Sequence, residues 1–165
     1  MQKTMNETRL KGGMRKCKRI YFDVCSLGRP YDDQNQVRVR LESEAVKTAL
    51  FLVEAGDIVA ISSEPIRFEI NRMPDVERYV EVTTVVSGFG EYVPVEEAEM
   101  RRGEALASLG FGAMDALHLA CAEKARADVL LTTDDGLLRK ANKNASSLTV
   151  RVMNPLAWIE EAWNK

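Results

Sequence analysis

The chain has 165 residues, of which 45% are hydrophobic and 29% charged, and its formal net charge is −2. This length is typical of one domain with a substantial core, and the near-neutral charge excludes a strong global attraction to nucleic acid. The cysteines, Cys17, Cys25 and Cys121, lack the paired spacing of a disulfide framework or a zinc site, which favours a reducing, cytoplasmic location.

Residues 1–16 are polar and lack hydrophobic periodicity, so we interpret them as a flexible N-terminal leader. Residues 17–165 are interpreted as a single domain. No long apolar run follows the basic residues near the N-terminus, so the sequence predicts neither a signal peptide nor a membrane span.

Short apolar runs separated by helical periodicity predict five strands. These runs cover 19–24, 57–61, 91–95, 128–132 and 147–152. Pro94 cannot donate to a strand ladder, so the third strand is placed at an edge. Strands that alternate with helices predict a parallel sheet between helical layers.

Hydrophobic spacing and end signals predict the helices that connect these strands. They cover 36–54, a segment that begins at the cap Ser63, 76–86, 96–109, 112–123, 134–143 and a last segment that Asn154 opens. Residues 25–36 are predicted to be loop. The helix over 112–123 is apolar on nearly every side, as a helix in a core is.

Four acids stand out because of their positions in this pattern. Asp23 and Asp134 follow buried strands, Asp115 opens the buried helix, and Glu69 lies on the helix after the second strand. Ligands of open α/β sheets bind at the carboxyl ends of the strands. Crowded carboxylates repel unless a cation neutralises them, and oxygen ligands without His or Cys favour Mg²⁺ or Mn²⁺. Such ions activate water against phosphodiesters, so the pattern points to phosphodiester hydrolysis.

At these acids the chain resembles the PIN (PilT N-terminus) domain nucleases, which include the VapC-type toxins. The segments that carry the resemblance are YFDVCSL, ISSEPIRFEI, MDALHLACAE and LLTTDDGLL, in this order along residues 18–161. The resemblance implies a three-layer α/β/α fold with a five-stranded, mainly parallel sheet in the order 3-2-1-4-5. It also implies an acidic pocket for Mg²⁺ or Mn²⁺, endoribonuclease activity, a homodimer and, for the toxin branch, an antitoxin partner.

Within that resemblance, Asp23, Asp115 and Asp134 are the expected metal ligands, and Glu69 completes the catalytic acids. Cys25 stands where the family usually has Asn, Ser or Thr, so Ser26 is the candidate to supply the missing hydroxyl. Glu69 is preferred as the second acid because Ser63 precedes it by six residues, and Glu64 is held in reserve.

Several residues have both a functional and a purely structural interpretation. Thr132 either orients the water molecule that attacks the phosphodiester or simply ends a strand. Asp135 either caps a helix or ligates the metal ion through a water molecule. His118 is expected to be hydrogen-bonded within the core rather than to act as a base. Three arginines near the first acid either grip RNA phosphates or lie on a solvated face. They are Arg29, Arg38 and Arg40.

The sequence therefore predicts a metal-dependent endoribonuclease, with the toxin of a toxin–antitoxin pair as a further hypothesis. The alternative is a catalytically inactive PIN-like module that binds RNA or a protein partner. A haloacid-dehalogenase-like phosphatase is less well supported, because no acid stands two positions after Asp23.

Overall fold

A computed structural model describes residues 19–164, so the predicted leader over 1–16 lies outside the described residues. The five strands form one sheet in the order β3-β2-β1-β4-β5. In chain order, β1 to β5 are Arg19–Phe22, Val59–Ser63, Glu91–Val93, Val129–Leu131 and Arg151–Met153. Every neighbouring pair is parallel. The predicted α/β fold and strand order are confirmed, and β3 is at an edge as Pro94 indicated.

The two central strands are buried on both faces. Ile20 and Phe22 of β1 and Leu131 of β4 are 0% exposed. Phe22 is in register with Leu131, so the residues that follow both strands emerge side by side at the carboxyl edge of the sheet. Continuous apolar strands of this kind are typical of parallel sheets covered by helices.

Eight α-helices occur within residues 19–164. In chain order, α1 to α8 are Val24–Gly28, Val37–Glu54, Glu64–Ile70, Val76–Ser87, Glu97–Ala107, Ala113–Lys124, Asp135–Lys143 and Pro155–Trp163. The predicted helices are present, with ends that differ from the predictions by a few residues. None of the helices in the described part of the chain is long and apolar enough to cross a membrane.

The prediction of a loop after the first strand is wrong at its beginning. Residues 24–28 form α1, and Arg29–Tyr31 form a 3₁₀ turn. The helix starts there because Asp23 Oδ1 accepts a hydrogen bond from the backbone nitrogen of Ser26 at 2.8 Å, which satisfies one of the free amides of the first turn.

The strand ends also differ from the predictions. β2 begins at Val59 and continues through Ser63, which is in register with Val93 of β3. β5 begins only at Arg151, because Ala145–Ser147 form a second 3₁₀ turn. The apolar runs identified the strands, but pairing with neighbouring strands set their ends.

A buried carboxylate fixes the segment that joins α1 to α2. Glu42 of α2 is 1% exposed. Its Oε2 lies 2.8 Å from Arg29 Nε, and its Oε1 accepts hydrogen bonds from Arg38 Nε at 2.9 Å and Asn154 Nδ2 at 2.7 Å. Glu42 thus joins the 3₁₀ turn, α2 and the start of α8 around one charge.

Candidate acidic site at the carboxyl edge of the sheet

Backbone hydrogen bonds hold Asp23 at the ends of the two central strands. It is 4% exposed, and its backbone nitrogen donates to Leu131 O at 3.2 Å. Ser26 Oγ donates to the same carbonyl at 2.8 Å, so the predicted hydroxyl of Ser26 braces α1 against β4. The carboxyl group of Asp23 is consequently held by the backbone itself, at the end of β1.

Asp134 occupies the equivalent place after β4 and caps α7. Its Oδ1 accepts from Leu137 N at 3.0 Å, and its own backbone nitrogen donates to Thr132 Oγ1 at 3.1 Å. The Thr132 hydroxyl also bonds to Asp23, so this buried threonine connects the two acids. A Cβ at Gly136 would lie 3.0 Å from Asp134 Oδ1, so glycine leaves room for the carboxylate.

Asp115 is half-buried in the first turn of α6, the helix that is apolar on nearly every side. Burial raises the pKa of its carboxyl group above the usual value, and the negative charges of Asp134 and Glu69 raise it further. His118 and Lys140 act in the opposite direction. Asp115 therefore shares its surroundings with Asp134 and Glu69.

Glu69 is held by a chain of buried hydrogen bonds. Its Oε2 lies 2.9 Å from His118 Nε2, and His118 Nδ1 lies 2.7 Å from the Tyr21 hydroxyl, which lies 2.6 Å from Ser63 Oγ. His118 and Tyr21 are 2% and 0% exposed. The Glu69 carboxylate can only accept, so His118 Nε2–H donates to it. In a neutral imidazole Nδ1 then accepts from the Tyr21 hydroxyl, which leaves the Ser63 hydroxyl to donate to Tyr21. The expected core hydrogen bonds of His118 are confirmed.

Removing the middle link of this chain is expected to destabilise the fold. Tyr21→Phe leaves His118 Nδ1 without its donor, and an unsatisfied buried group costs about 1–3 kcal/mol. The measurement is the free energy of unfolding in urea. Tyr79→Phe is the matched control, because Tyr79 is 36% exposed. Equal stability of the two variants would show that these linked hydrogen bonds contribute nothing to the stability of the fold.

The thiol of Cys25 is influenced by the charges of all four predicted acids. Enclosure by protein atoms raises the pKa of its thiol to about 12, and the charges of Asp23, Asp134, Glu69 and Asp115 all contribute. The side chain is nevertheless accessible to solvent. The thiolate is strongly disfavoured here, as expected for an inert cysteine. The predicted acids come from four different segments, and the charge of each acts on this one thiol.

Burial also raises the pKa of Asp23 to about 6, although hydrogen bonds from Thr132 and Ser26 act to lower it. A carboxyl group with a raised pKa beside other acids is typical of a site that binds a cation. The donors are carboxylate and hydroxyl oxygens, which match Mg²⁺ or Mn²⁺ in chemistry. Within residues 19–164, no three His, Cys, Asp or Glu side chains are close enough together to hold an ion as they stand.

The remaining predicted residues have different partners. Glu64 Oε2 accepts from Val95 N at 2.8 Å, which directs it to the segment after β3. Asp135 does not cap α7, because Asp134 does, and its two oxygens accept from Arg38 at 2.7 and 2.8 Å. Arg29 is paired with Glu42 and with Asp32, whereas Arg40 is exposed on α2.

Sequence reasoning missed Lys140 as a neighbour of the site. Its charge lowers the pKa of Asp115, so a cation from α7 acts on the acidic cluster. The signal was present, since the C-terminal half of α7 is basic, with Arg139, Lys140 and Lys143. Only the packing of α7 shows which of these cations acts on Asp115.

The sequence model of the PIN domain family matches residues 32–143 of the chain. The matched region includes Glu69, Asp115 and Asp134, and Asp23 lies before it. Comparison with curated proteins gives no match.

Proposed function

Because the chain belongs to the PIN domain family, we propose that it is a divalent-metal-dependent endoribonuclease that hydrolyses phosphodiester bonds in RNA. PIN domains are generally nucleases, act on nucleic acids and use divalent metal ions. The observation that supports the finer proposal is that Asp23 and Asp134 follow neighbouring strands at one edge of the sheet, where their charges and those of Glu69 and Asp115 act on the same thiol. Asp23, Asp115 and Asp134 would hold Mg²⁺ or Mn²⁺.

The chain's own residues prepare this site in distinct ways. Asp23 and Asp134 are fixed by backbone hydrogen bonds at the ends of neighbouring strands, with Thr132 between them. Glu69 is oriented by His118 and acts beside Asp115. The proposal gives Asp135 and Glu64 no ligand role, because Arg38 and Val95 already bind their carboxylates.

When bound, the divalent ion supplies charge neutralisation on the phosphate and lowers the pKa of a water molecule. The protein fixes the positions of the ligand side chains and shields Asp23 from solvent. The backbone nitrogen of Ser26 and the Thr132 hydroxyl keep the Asp23 carboxyl group in one orientation within a buried setting. Lys140 places positive charge beside Asp115, and cations of this kind position phosphate groups. Arg40 is exposed on α2, Arg38 is paired with Asp135 and Arg29 with Glu42.

The remaining predictions from the sequence and from the resemblance are kept as part of the proposal. They are a cytoplasmic location, a homodimer, and the role of toxin with an antitoxin partner. Division of the chain into a leader and one domain also stays a prediction.

Asp115→Asn is expected to reduce metal-dependent cleavage of a mixed RNA pool by more than about 100-fold, since even residues that only support a metal ligand change activity by 10–100-fold. Cleavage by the purified chain is measured with Mn²⁺, with Mg²⁺ and with EDTA. Asp57→Asn is the matched control, because Asp57 is exposed and precedes β2 at the opposite edge of the sheet. The nuclease proposal is rejected if both variants cleave RNA equally, or if the unmodified chain cleaves none with any divalent ion.

A second candidate function is binding of RNA or of a protein partner without cleavage. It is favoured by one observation, that no three acids within residues 19–164 are already arranged around an ion. Calorimetric titration with Mn²⁺ separates the two. A nuclease binds the ion with heat that Asp23→Asn abolishes, whereas an inactive module gives no such heat.

A further inference from the structure

Two arginine–aromatic pairs lie at the surface around α3, the helix that carries Glu69. Arg72 Cζ is 5.2 Å from the centre of the Phe68 ring, and Arg67 Cζ is 4.0 Å from the centre of the Tyr92 ring. The rings are well exposed, at 48% for Phe68 and 44% for Tyr92. Among the side chains of residues 19–164, no carboxylate lies within ion-pair distance of Arg67 or Arg72. We call Arg67, Phe68, Arg72 and Tyr92 the arginine–aromatic platform.

Helix geometry places Phe68 and Arg72 of this platform next to Glu69. Each residue of an α-helix turns by about 100°, so Phe68 and Arg72 lie on one face of the helical segment and Glu69 on the next. Glu69 contacts His118 on the side of α6. Arg67 lies on the opposite side, facing α4. Phe68 and Arg72 therefore lie between Glu69 and the side of α3 that carries Arg67.

A cleft of about 200 Å³ continues the surface on that side. It is smaller than the about 300–1,000 Å³ of pockets for drug-sized ligands, so its occupant is no larger than about one base. Apolar and hydrogen-bonding side chains of α3, α4 and the residue after α3 line it together. They are Arg67, Ile70, Asn71, Thr83, Val86 and Ser87.

We propose that the arginine–aromatic platform binds the single strand of RNA that leaves the acidic site, with bases stacked on Phe68 and Tyr92 and phosphates beside Arg67 and Arg72. This inference rests on the proposed function. Exposed rings with nearby arginines are what unpaired bases and their phosphates require. Bases within a duplex are already stacked and offer no free faces. The guanidinium groups over both rings favour a polyanion over an apolar contact with a protein.

The test measures binding rather than cleavage. The probe is a fluorescein-labelled single-stranded RNA of twelve mixed nucleotides, and fluorescence anisotropy is recorded in EDTA so that no strand is cut. One stacked base contributes enough that Phe68→Ala should weaken binding about 10-fold, and Arg72→Ala should weaken it to a similar degree. Phe68→Tyr keeps a ring and is expected to retain the affinity. A matched duplex should bind less tightly than the single strand.

The controls remove an equivalent side chain at the other edge of the sheet. The control variants are Phe51→Ala and Lys143→Ala. Phe51 and Lys143 lie near the C-terminal ends of α2 and α7, which lead to the amino ends of β2 and β5. Phe51 is 67% exposed. Both variants are expected to bind the probe within twofold of the unmodified chain. Thermal unfolding of all variants confirms that the comparison is between folded proteins.

The proposal is overturned if Phe68→Ala and the unmodified chain bind the strand equally, or if the unmodified chain binds none. It is also overturned if Phe68→Ala changes only the sedimentation of the protein, because the face would then join two copies of the chain. Failure of the nuclease proposal is a separate result. In that case RNA is not cut, yet binding is still lost in Phe68→Ala.

Discussion

Asp23→Asn is expected to stabilise the metal-free protein above pH 6 by about 3 kcal/mol while removing its affinity for Mn²⁺. Burial raises the pKa of the Asp23 carboxyl group from 3.8 to about 6. A difference of about two pKa units corresponds to about 3 kcal/mol between the charged and the neutral form. Asn is neutral, and its Oδ1 can still accept the hydrogen bond from Ser26 N.

The direction of the pH dependence follows from this pKa. The folded state binds the proton of Asp23 more tightly than the unfolded state between about pH 4 and pH 6. Stability contributed by the neutral acid is fully present below about pH 4 and is lost as the pH rises through 6. The unmodified chain should therefore become less stable across this window, whereas Asp23→Asn should lose less. Above pH 6 the two should differ by a constant amount.

Urea denaturation from pH 4 to pH 8, in EDTA and again in Mn²⁺, measures both halves of this prediction. Mn²⁺ should raise the unfolding free energy of the unmodified chain, because a ligand of the folded state stabilises it, and should leave Asp23→Asn unchanged. Asp57→Asn, at an exposed acid, should follow the unmodified chain throughout. A variant that is less stable at pH 7 than the unmodified chain, or that keeps its response to Mn²⁺, contradicts the assignment of Asp23.

Glu42→Gln is expected to destabilise the fold by about 3–5 kcal/mol, the usual cost of removing one member of a buried ion pair. Glu42 is 1% exposed, and both Arg29 and Arg38 direct their Nε atoms at its carboxylate. Gln keeps the shape but removes the charge, so Arg29, whose side chain is only 19% exposed, loses half of its compensation. Asn154, which caps α8, also loses a charged acceptor.

The matched control for Glu42 is two positions along the same helix. Glu44 pairs with Lys47 at 2.9 Å, but its side chain is 65% exposed. Exposed pairs contribute about 0–1 kcal/mol, so Glu44→Gln should be close to neutral. Unfolding free energies of both variants in urea give the comparison. If Glu42→Gln costs no more than Glu44→Gln, the buried network is not what fastens the segment between α1 and α2.

Much of the fold follows from local patterns that the sequence displays openly. The apolar runs around Tyr21 and Leu130 predicted central parallel strands, and Ser63 and Asn154 cap helices at the predicted positions. Asp134 and Asp23 were placed correctly after strands, because the end of an apolar run is visible in the sequence. The short helix after Asp23 was not predicted, since a five-residue helix has too little periodicity to detect.

The contacts that were not predicted join segments far apart in the chain. Arg38 was a candidate for binding phosphate, and nothing in its neighbourhood indicates that Asp135, 97 residues away, accepts from it twice. His118 was expected in the core, but its partner Glu69 lies 49 residues earlier. Periodicity indicates which side chains turn inward. It does not indicate which of them meet, because that depends on how complete helices and strands pack.

The pairing of the first strand with the fourth has a consequence during translation. Asp23 leaves the ribosome early, but its backbone nitrogen bonds to Leu131 and its carboxyl group to Thr132, which are synthesised more than a hundred residues later. A nascent polypeptide therefore carries no complete acidic site for most of its synthesis. The partners that hold Asp23 in place are complete only when about four-fifths of the chain has been made.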